Sequence, residues 1–324
     1  MKTLLLILFA ALFLAFAAHA EPEDFRKGVW TADFSGDHLN ITVFRGAHDG
    51  TRTTNMMGFN VALADVGLTK SDVEAAAANV NFALKREAGT VAFEGRFATG
   101  DGAGSYRFTP NESFARALNE LGYEDIGDRQ LLLYTVQELK ISVVRDLIAM
   151  GKKPTRRQLD EVAIFGITPQ LLREYASLGY PDLSIREAVQ MKIGRVDARF
   201  VSELASLGYK NLSAREISNL GILGVTPAYI RSLRDAGLGE LSARDATNLR
   251  VGQITPERIA AYRRAGYDHL TARELSDFGI HQVTPEFIEE LRKLGYTDLT
   301  PRQLVDMKIH SVTPEYIRSM TKSR

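Results

Sequence analysis

Seven arginines, Arg129, Arg157, Arg186, Arg215, Arg244, Arg273 and Arg302, each stand second in a segment that reads as the start of a helix. In LSAREI, Ser213 is followed three residues later by Glu216, the pattern of an N-terminal capping box. A cation in that first turn opposes the helix dipole, at a cost of a few tenths to about 1 kcal/mol. A rule kept in seven of seven places therefore needs something to offset it. One account is local. Four residues on stand Glu161, Gln190, Asn219, Asn248, Asp277 and Asp306, with Leu133 breaking the run, so most of these arginines have a helix-surface partner within reach. Such a pair contributes about 0.2–0.5 kcal/mol, and the long aliphatic stem can also cover a seam between helices. The other account is functional. Arginines lined along one edge, beside helix N-termini whose N–H groups favour anions, would hold an acidic peptide, a phosphate-bearing glycan or a carboxylate-rich partner.

Other residues capable of chemistry are thinly spread. His38 and His48 are flanked by Asp37 and Asp49 and read as solvated turn residues. His281 and His310 lie 29 residues apart, the same place in successive repeats and too distant to share one zinc. The GDGAG from Gly100 lacks the strand-loop-helix context of a phosphate loop and reads as a hairpin turn. The sequence contains no cysteine, which excludes disulfides, thiolate metal sites and a cysteine nucleophile. GxSxG and HExxH motifs are also absent. No catalytic, cofactor-binding or metal-ligating residue is expected, and the binding hypothesis rests on the seven arginines.

The elements that position those arginines follow from a repeat. Gly122, Gly151, Gly179, Gly208, Gly237, Gly266 and Gly295 are spaced by 28 or 29 residues. Thr-Pro pairs at Thr168, Thr226, Thr255, Thr284 and Thr313 supply an N-cap with proline in the first turn, and each glycine supplies the left-handed residue that ends the helix. The Ser/Thr box then starts a second helix ending in MKI, LGI or LRV. In the repeat of Gly295 the expected apolar face comprises Ile288, Leu291, Leu294, Tyr296, Leu299, Leu304, Met307, Ile309 and Val312. Two short helices cannot close a core with such a face, so adjacent repeats must cover it by stacking into a curved rod.

Residues 21–110 lack this period. VNFALKR and TVAFEGRF alternate as a hairpin, SYRFTP follows the next turn, and VWTADF, LNITVF and GFNVALA add candidate strands. SDVEAAAANV reads as a short helix. The expected fold is α+β and multidomain, a small antiparallel β domain of five to seven strands over 21–110, followed over 111–324 by an α-solenoid of about seven 29-residue two-helix repeats.

Residues 1–20 carry one basic residue, a long apolar run and small residues around His19, the pattern of a cleavable export signal. The expected location is therefore periplasmic or secreted. With Lys2 removed, 39 basic residues face 40 acidic ones, and so balanced a charge gives no pull towards nucleic acid. No later segment is apolar enough to span a bilayer.

The phrases VTPEYIRSM, LGY and LSAREI resemble repeats of uncharacterised exported bacterial proteins. They also resemble the extracytoplasmic C-terminal region of some beta-lactam-sensing, antirepressor-type transmembrane metallopeptidases. The peptidase HExxH and membrane helices are missing here, so the resemblance implies an envelope or secreted protein with a sensing or scaffolding role and no known ligand. The expected function is a non-enzymatic binding or scaffold protein whose helical surface takes a protein or peptide, acidic ones included. The alternatives are a signal-regulating module of an envelope sensor system and a hydrolase or glycan-processing enzyme with its site in the β domain.

Overall fold

The computed structural model describes residues 25–45 and 56–322. The expected leader at 1–20 and His48 lie outside them. The chain divides into two compact units, one ending at Thr168 and the other beginning at Pro169.

The first unit opens with a six-stranded antiparallel sheet of β1 (Lys27–Ser35), β2 (His38–Arg45), β3 (Met56–Ala62), β4 (Ala78–Arg86), β5 (Gly89–Ala98) and β6 (Asp101–Pro110), in the order β3-β2-β1-β6-β5-β4. β3 and β4 are its two edges, joined through α1 (Leu63–Val66) and α2 (Lys70–Glu74). The helix expected over SDVEAAAANV ends early, at Glu74, and the chain is strand again from Ala78. Of the GDGAG segment, expected as a hairpin turn, only Gly100 lies in the turn, and Asp101–Gly104 already belong to β6. Thr99 and Gly100 both have positive φ, 50° and 96°, as a tight hairpin loop requires.

Trp30 centres this core. Its ring meets Phe82 and Phe93 edge-on at 5.5 and 5.9 Å, and its indole N–H donates to the Glu94 carbonyl at 3.2 Å. The cross-strand row Trp30–Gly104–Gly95 leaves the indole room, since a Cβ on Gly95 would come within 2.7 Å of it. Four helices complete the unit, α3 (Glu112–Glu120), α4 (Asp128–Val136), α5 (Ile141–Ala149) and α6 (Arg156–Phe165). Leu131 to Val136 of α4 are buried, and the helix packs on β4, β5 and β6. Element type thus changes at Pro110, while the compact unit continues because α4 covers the sheet.

The second unit contains α7 (Pro169–Ser177), α8 (Ile185–Ile193), α9 (Ala198–Ser206), α10 (Ala214–Ile222), α11 (Pro227–Leu233), α12 (Ala243–Val251), α13 (Pro256–Arg264), α14 (Ala272–Ile280), α15 (Pro285–Lys293), α16 (Pro301–Ile309) and α17 (Pro314–Lys322). A π-type turn, Arg234–Leu238, follows α11. The fold is the expected α+β arrangement of a small antiparallel sheet followed by a helical repeat region.

Each repeat is folded by its punctuation. All seven period glycines are left-handed, with φ between 72° and 99°. Thr226, Thr255 and Thr284 cap α11, α13 and α15, each accepting from a backbone N–H three residues on. Full capping boxes start α6, α8, α10, α14 and α16. The second helices also end on a left-handed residue, at Glu138, Gly166, Arg195, Gly224, Gln253, Gln282 and Ser311. Only two of these are glycine. The following apolar residue closes the turn: Val196 N–H reaches the Met191 carbonyl at 3.0 Å and Val283 N–H reaches that of Phe278 at 2.8 Å.

Second helices stack on second helices, α8 on α10, α10 on α12, α12 on α14 and α14 on α16. The contacts are not equivalent. A Cβ on Gly221 of α10 would clash with the carbonyl oxygen of Gly194, and one on Gly279 of α14 with that of Gly252. Ser218 and Ser276, buried beside these contacts, let the backbones meet. The array therefore has a superperiod of two repeats, in which α8 with α10 and α12 with α14 are backbone-to-backbone pairs. Tyrosines tie repeats across the period. Tyr209 Oη donates to the Leu241 carbonyl at 2.6 Å and Tyr267 Oη to that of Leu299 at 2.7 Å. At Tyr209 and Tyr267 the residue after the period glycine, expected as a simple apolar plug, is thus also a long-range donor. Tyr229 Oη donates to the Ile254 carbonyl at 2.8 Å, and burial pushes its phenol from 10.0 up to about 12, against a smaller opposing effect of the Arg250 guanidinium 5.2 Å from the ring centre.

Two outcomes follow. Gly221→Ala and Gly279→Ala should each lose about 1–3 kcal/mol in denaturant titrations, as overpacked sites do, while Gly127→Ala, whose Cβ would meet nothing closer than 3.7 Å, should lose far less. The neutral Tyr229 phenol is the form the fold prefers. Its stabilising contribution is complete below pH 10.0 and is lost as pH rises through about 12, so the fall in melting temperature over that window should be smaller in Tyr229→Phe.

Candidate functional site

The seven arginines stand where the sequence places them, at the second position of α4, α6, α8, α10, α12, α14 and α16, and all seven are exposed. The offset to their position in the dipole lies one residue further on. In α8, α10 and α14 the next residue is a Glu that reaches back to the N-cap N–H, as Glu216 does to Ser213 at 2.9 Å. Those hydrogen bonds hold the Glu216 carboxyl below its usual value. The anion that the helix start favours is thus supplied by the chain itself, and the cap hydroxyl takes the third N–H. In these three helices the capping box thus takes the N-cap and third N–H groups.

Local pairing of the arginines is sparse. Arg157 approaches Glu161 at 3.6 Å and Arg302 approaches Asp306 at 3.9 Å, with the arginine side chains 91% and 92% exposed. Exposed pairs at such distances contribute little. Arg129, Arg186, Arg215, Arg244 and Arg273 have no hydrogen bond or ion pair with any other described residue. Arg273 is unpaired even though Asp277 stands four residues on. Because α8, α10, α12, α14 and α16 stack in order, Arg186, Arg215, Arg244, Arg273 and Arg302 form one row across the second compact unit. Arg129 and Arg157 belong to the first unit.

A second arginine column, not singled out from the sequence, holds first helices together. Arg234 Nη2 donates to the Leu207 carbonyl at 2.8 Å, and Arg263 Nη2 to that of Ala236 at 2.7 Å. Arg292, 29 residues further, places its guanidinium beside Gly266. These guanidiniums sit at the C-terminal ends of preceding helices, where carbonyls lack partners and the dipole favours a cation. Recurrence of Arg234, Arg263 and Arg292 at the repeat period was the signal available in the sequence.

Among the described residues the histidines gather no site. His281 and His310 cap the C-termini of α14 and α16, and no group of three or more His, Cys, Asp or Glu among the described residues is placed to hold a metal. In the first unit a shallow depression is lined by Lys85, Arg86, Glu87, Glu138, Leu139 and Lys140. Its charges are employed structurally: Arg86 binds Asp65 at 2.9 Å, Lys140 meets Glu138 at 3.3 Å, and Glu87 accepts the Ile141 N–H at the start of α5. No described helix is long and apolar enough to cross a membrane.

Comparison with protein-family models, curated proteins and solved structures gave no match.

The two columns should respond differently to substitution. Arg263→Met removes a bond to a helix C-terminus and should lower stability by about 1–2 kcal/mol. Arg244→Gln should change it by less than about 0.5 kcal/mol. Equilibrium denaturation of the two variants measures the contrast.

Proposed function

We propose that this chain is a non-enzymatic, exported binding or scaffold protein that holds a protein or peptide partner on the exposed edge of its stacked second helices. One observation carries the reading: the arginine recurs without exception, yet four of the five members of the row in the second unit, Arg186, Arg215, Arg244 and Arg273, have no partner among the described residues. A residue type kept for folding leaves a trace in contacts, as Arg234 and Arg263 do. The row leaves almost none, so its guanidiniums remain available for carboxylates or other anionic groups of a partner. Five cations on successive second helices suit a long acidic surface better than a small ligand, because a row spread over four helix spacings of about 8–10 Å each cannot all converge on one group. The apolar leader at 1–20 supports export.

The triple variant Arg215→Gln, Arg244→Gln, Arg273→Gln tests this. Partners captured from the native envelope fraction by the wild-type protein should be lost or strongly reduced with the variant, while its melting temperature stays within a few degrees. Equal capture by both proteins would remove the arginine row from the function.

A further inference from the structure

The second helices expose a second row. Seven residues after each arginine of the first row, at or next to the helix end, stand Val136, Ile164, Ile193, Ile222, Val251, Ile280 and Ile309, β-branched and aliphatic in all seven repeats. Ile309 is expected from its sequence spacing to be part of the buried face. Instead Ile164, Ile193, Ile222, Val251, Ile280 and Ile309 are each 46–54% exposed. Scattered exposed aliphatics are ordinary, but a residue type that helices disfavour, repeated at one exposed position, needs a cause. The C-terminal turn does not supply it, because Val196, Val225, Ile254 and Val283 make that turn's apolar contact and are buried. The glycine pairs add to the pattern. Ile193 precedes Gly194 and Ile222 follows Gly221, so backbone contact makes the two exposed side chains neighbours, and Val251 and Ile280 are matched in the same way. In the first compact unit, where α4 packs on the sheet, the equivalent Val136 is only 7% exposed. There the chain itself shows this position covered by protein.

Each exposed aliphatic lies seven residues after the arginine of its helix, which is two turns and the same face. The rows are therefore about 10.5 Å apart along the helix axis. Between them stand polar Gln190, Asn219, Asn248, Asp277 and Asp306. We infer that this face of α8, α10, α12, α14 and α16 is a docking surface for an acidic amphipathic α-helix of a partner protein, lying across the stack. The apolar stripe of that helix meets the Ile/Val row and its carboxylate-bearing flank meets the arginine row. The dimensions agree. A helix about 10–12 Å wide touches both rows at once, and seven of its residues advance about 10.5 Å, close to the 8–10 Å between stacked helices. Five helices offer a track of about 32–40 Å, the length of roughly 21–27 helical residues. An extended strand, narrower than the gap between rows, would engage one of them.

This inference rests on the binding reading above and adds the partner's chemistry. Three fluorescein-labelled peptides of about 25 residues test it by anisotropy with the purified protein: an acidic amphipathic helix with a Leu stripe, the same stripe with Lys replacing Glu, and the acidic peptide with Gln replacing Leu. Only the first should bind, and Ile222→Thr with Ile280→Thr should weaken it about tenfold or more, as should Arg215→Gln with Arg273→Gln. Should the threonine variant fail to fold by circular dichroism, Ile222→Ala with Ile280→Ala makes the same comparison. Equal binding of the Leu-free acidic peptide, or no effect of the isoleucine changes, overturns the inference while leaving a charge-based binding role intact. Binding of none of the three peptides also overturns it. So does a dimer in sedimentation velocity that Ile222→Thr with Ile280→Thr abolishes, since a second copy would then occupy the face.

Discussion

Nine-residue helices cannot stand alone, and that constraint governs the repeat region. Isolated helices shorter than about 12–15 residues are marginal in water, and nearly all helices here have nine. Each therefore depends on burying one face against the equivalent helix of the next repeat. Leu204, Leu220, Leu249, Ile230, Leu275 and Leu291 are almost wholly inaccessible as a result. Caps, tyrosine bonds and glycine contacts do not replace this burial. They fix the angle and register at which it is achieved, by ending each helix on a left-handed residue and tying its end to the following repeat.

Arginine is used in two opposite ways on this frame. Arg234 and Arg263 complete helix C-termini, where geometry and dipole agree. The arginines at second-helix starts oppose the dipole, and in α8, α10 and α14 the capping-box carboxylates of Glu187, Glu216 and Glu274 offset it from the same turn. The offset comes from the neighbouring residue, so the guanidinium itself is left without structural employment.

The repeat was legible because its punctuation is chemical: glycine for a left-handed cap, Thr-Pro for a start and Ser-x-x-Glu for a box. Where the same conformations are adopted by other residues, the signal vanishes. Arg195, Gln253, Gln282 and Ser311 hold positive φ that nothing in their type announces. The strands were legible from alternation, but the order β3-β2-β1-β6-β5-β4 depends on long-range pairing that a local pattern does not encode. Nor did the sequence reveal that α4 would lie on the sheet, since Leu133 merely looked like an exception to the polar column. The arginine column was plain from spacing. Its partners were not, because an i+4 neighbour makes a pair available without making it form, as Arg273 and Asp277 demonstrate. Ile309 looked like core, because apolar type and helical spacing cannot distinguish a buried face from its rim.

The alternation of glycine between Gly194, Gly221, Gly252 and Gly279 has a consequence for how such an array can grow or shrink. Deleting a single repeat would bring two unlike surfaces together, one shaped for a backbone-to-backbone glycine contact and one that is not. The smallest segment that can be copied or removed with both seams intact is a pair, so the length of the array is quantised in steps of two hairpins.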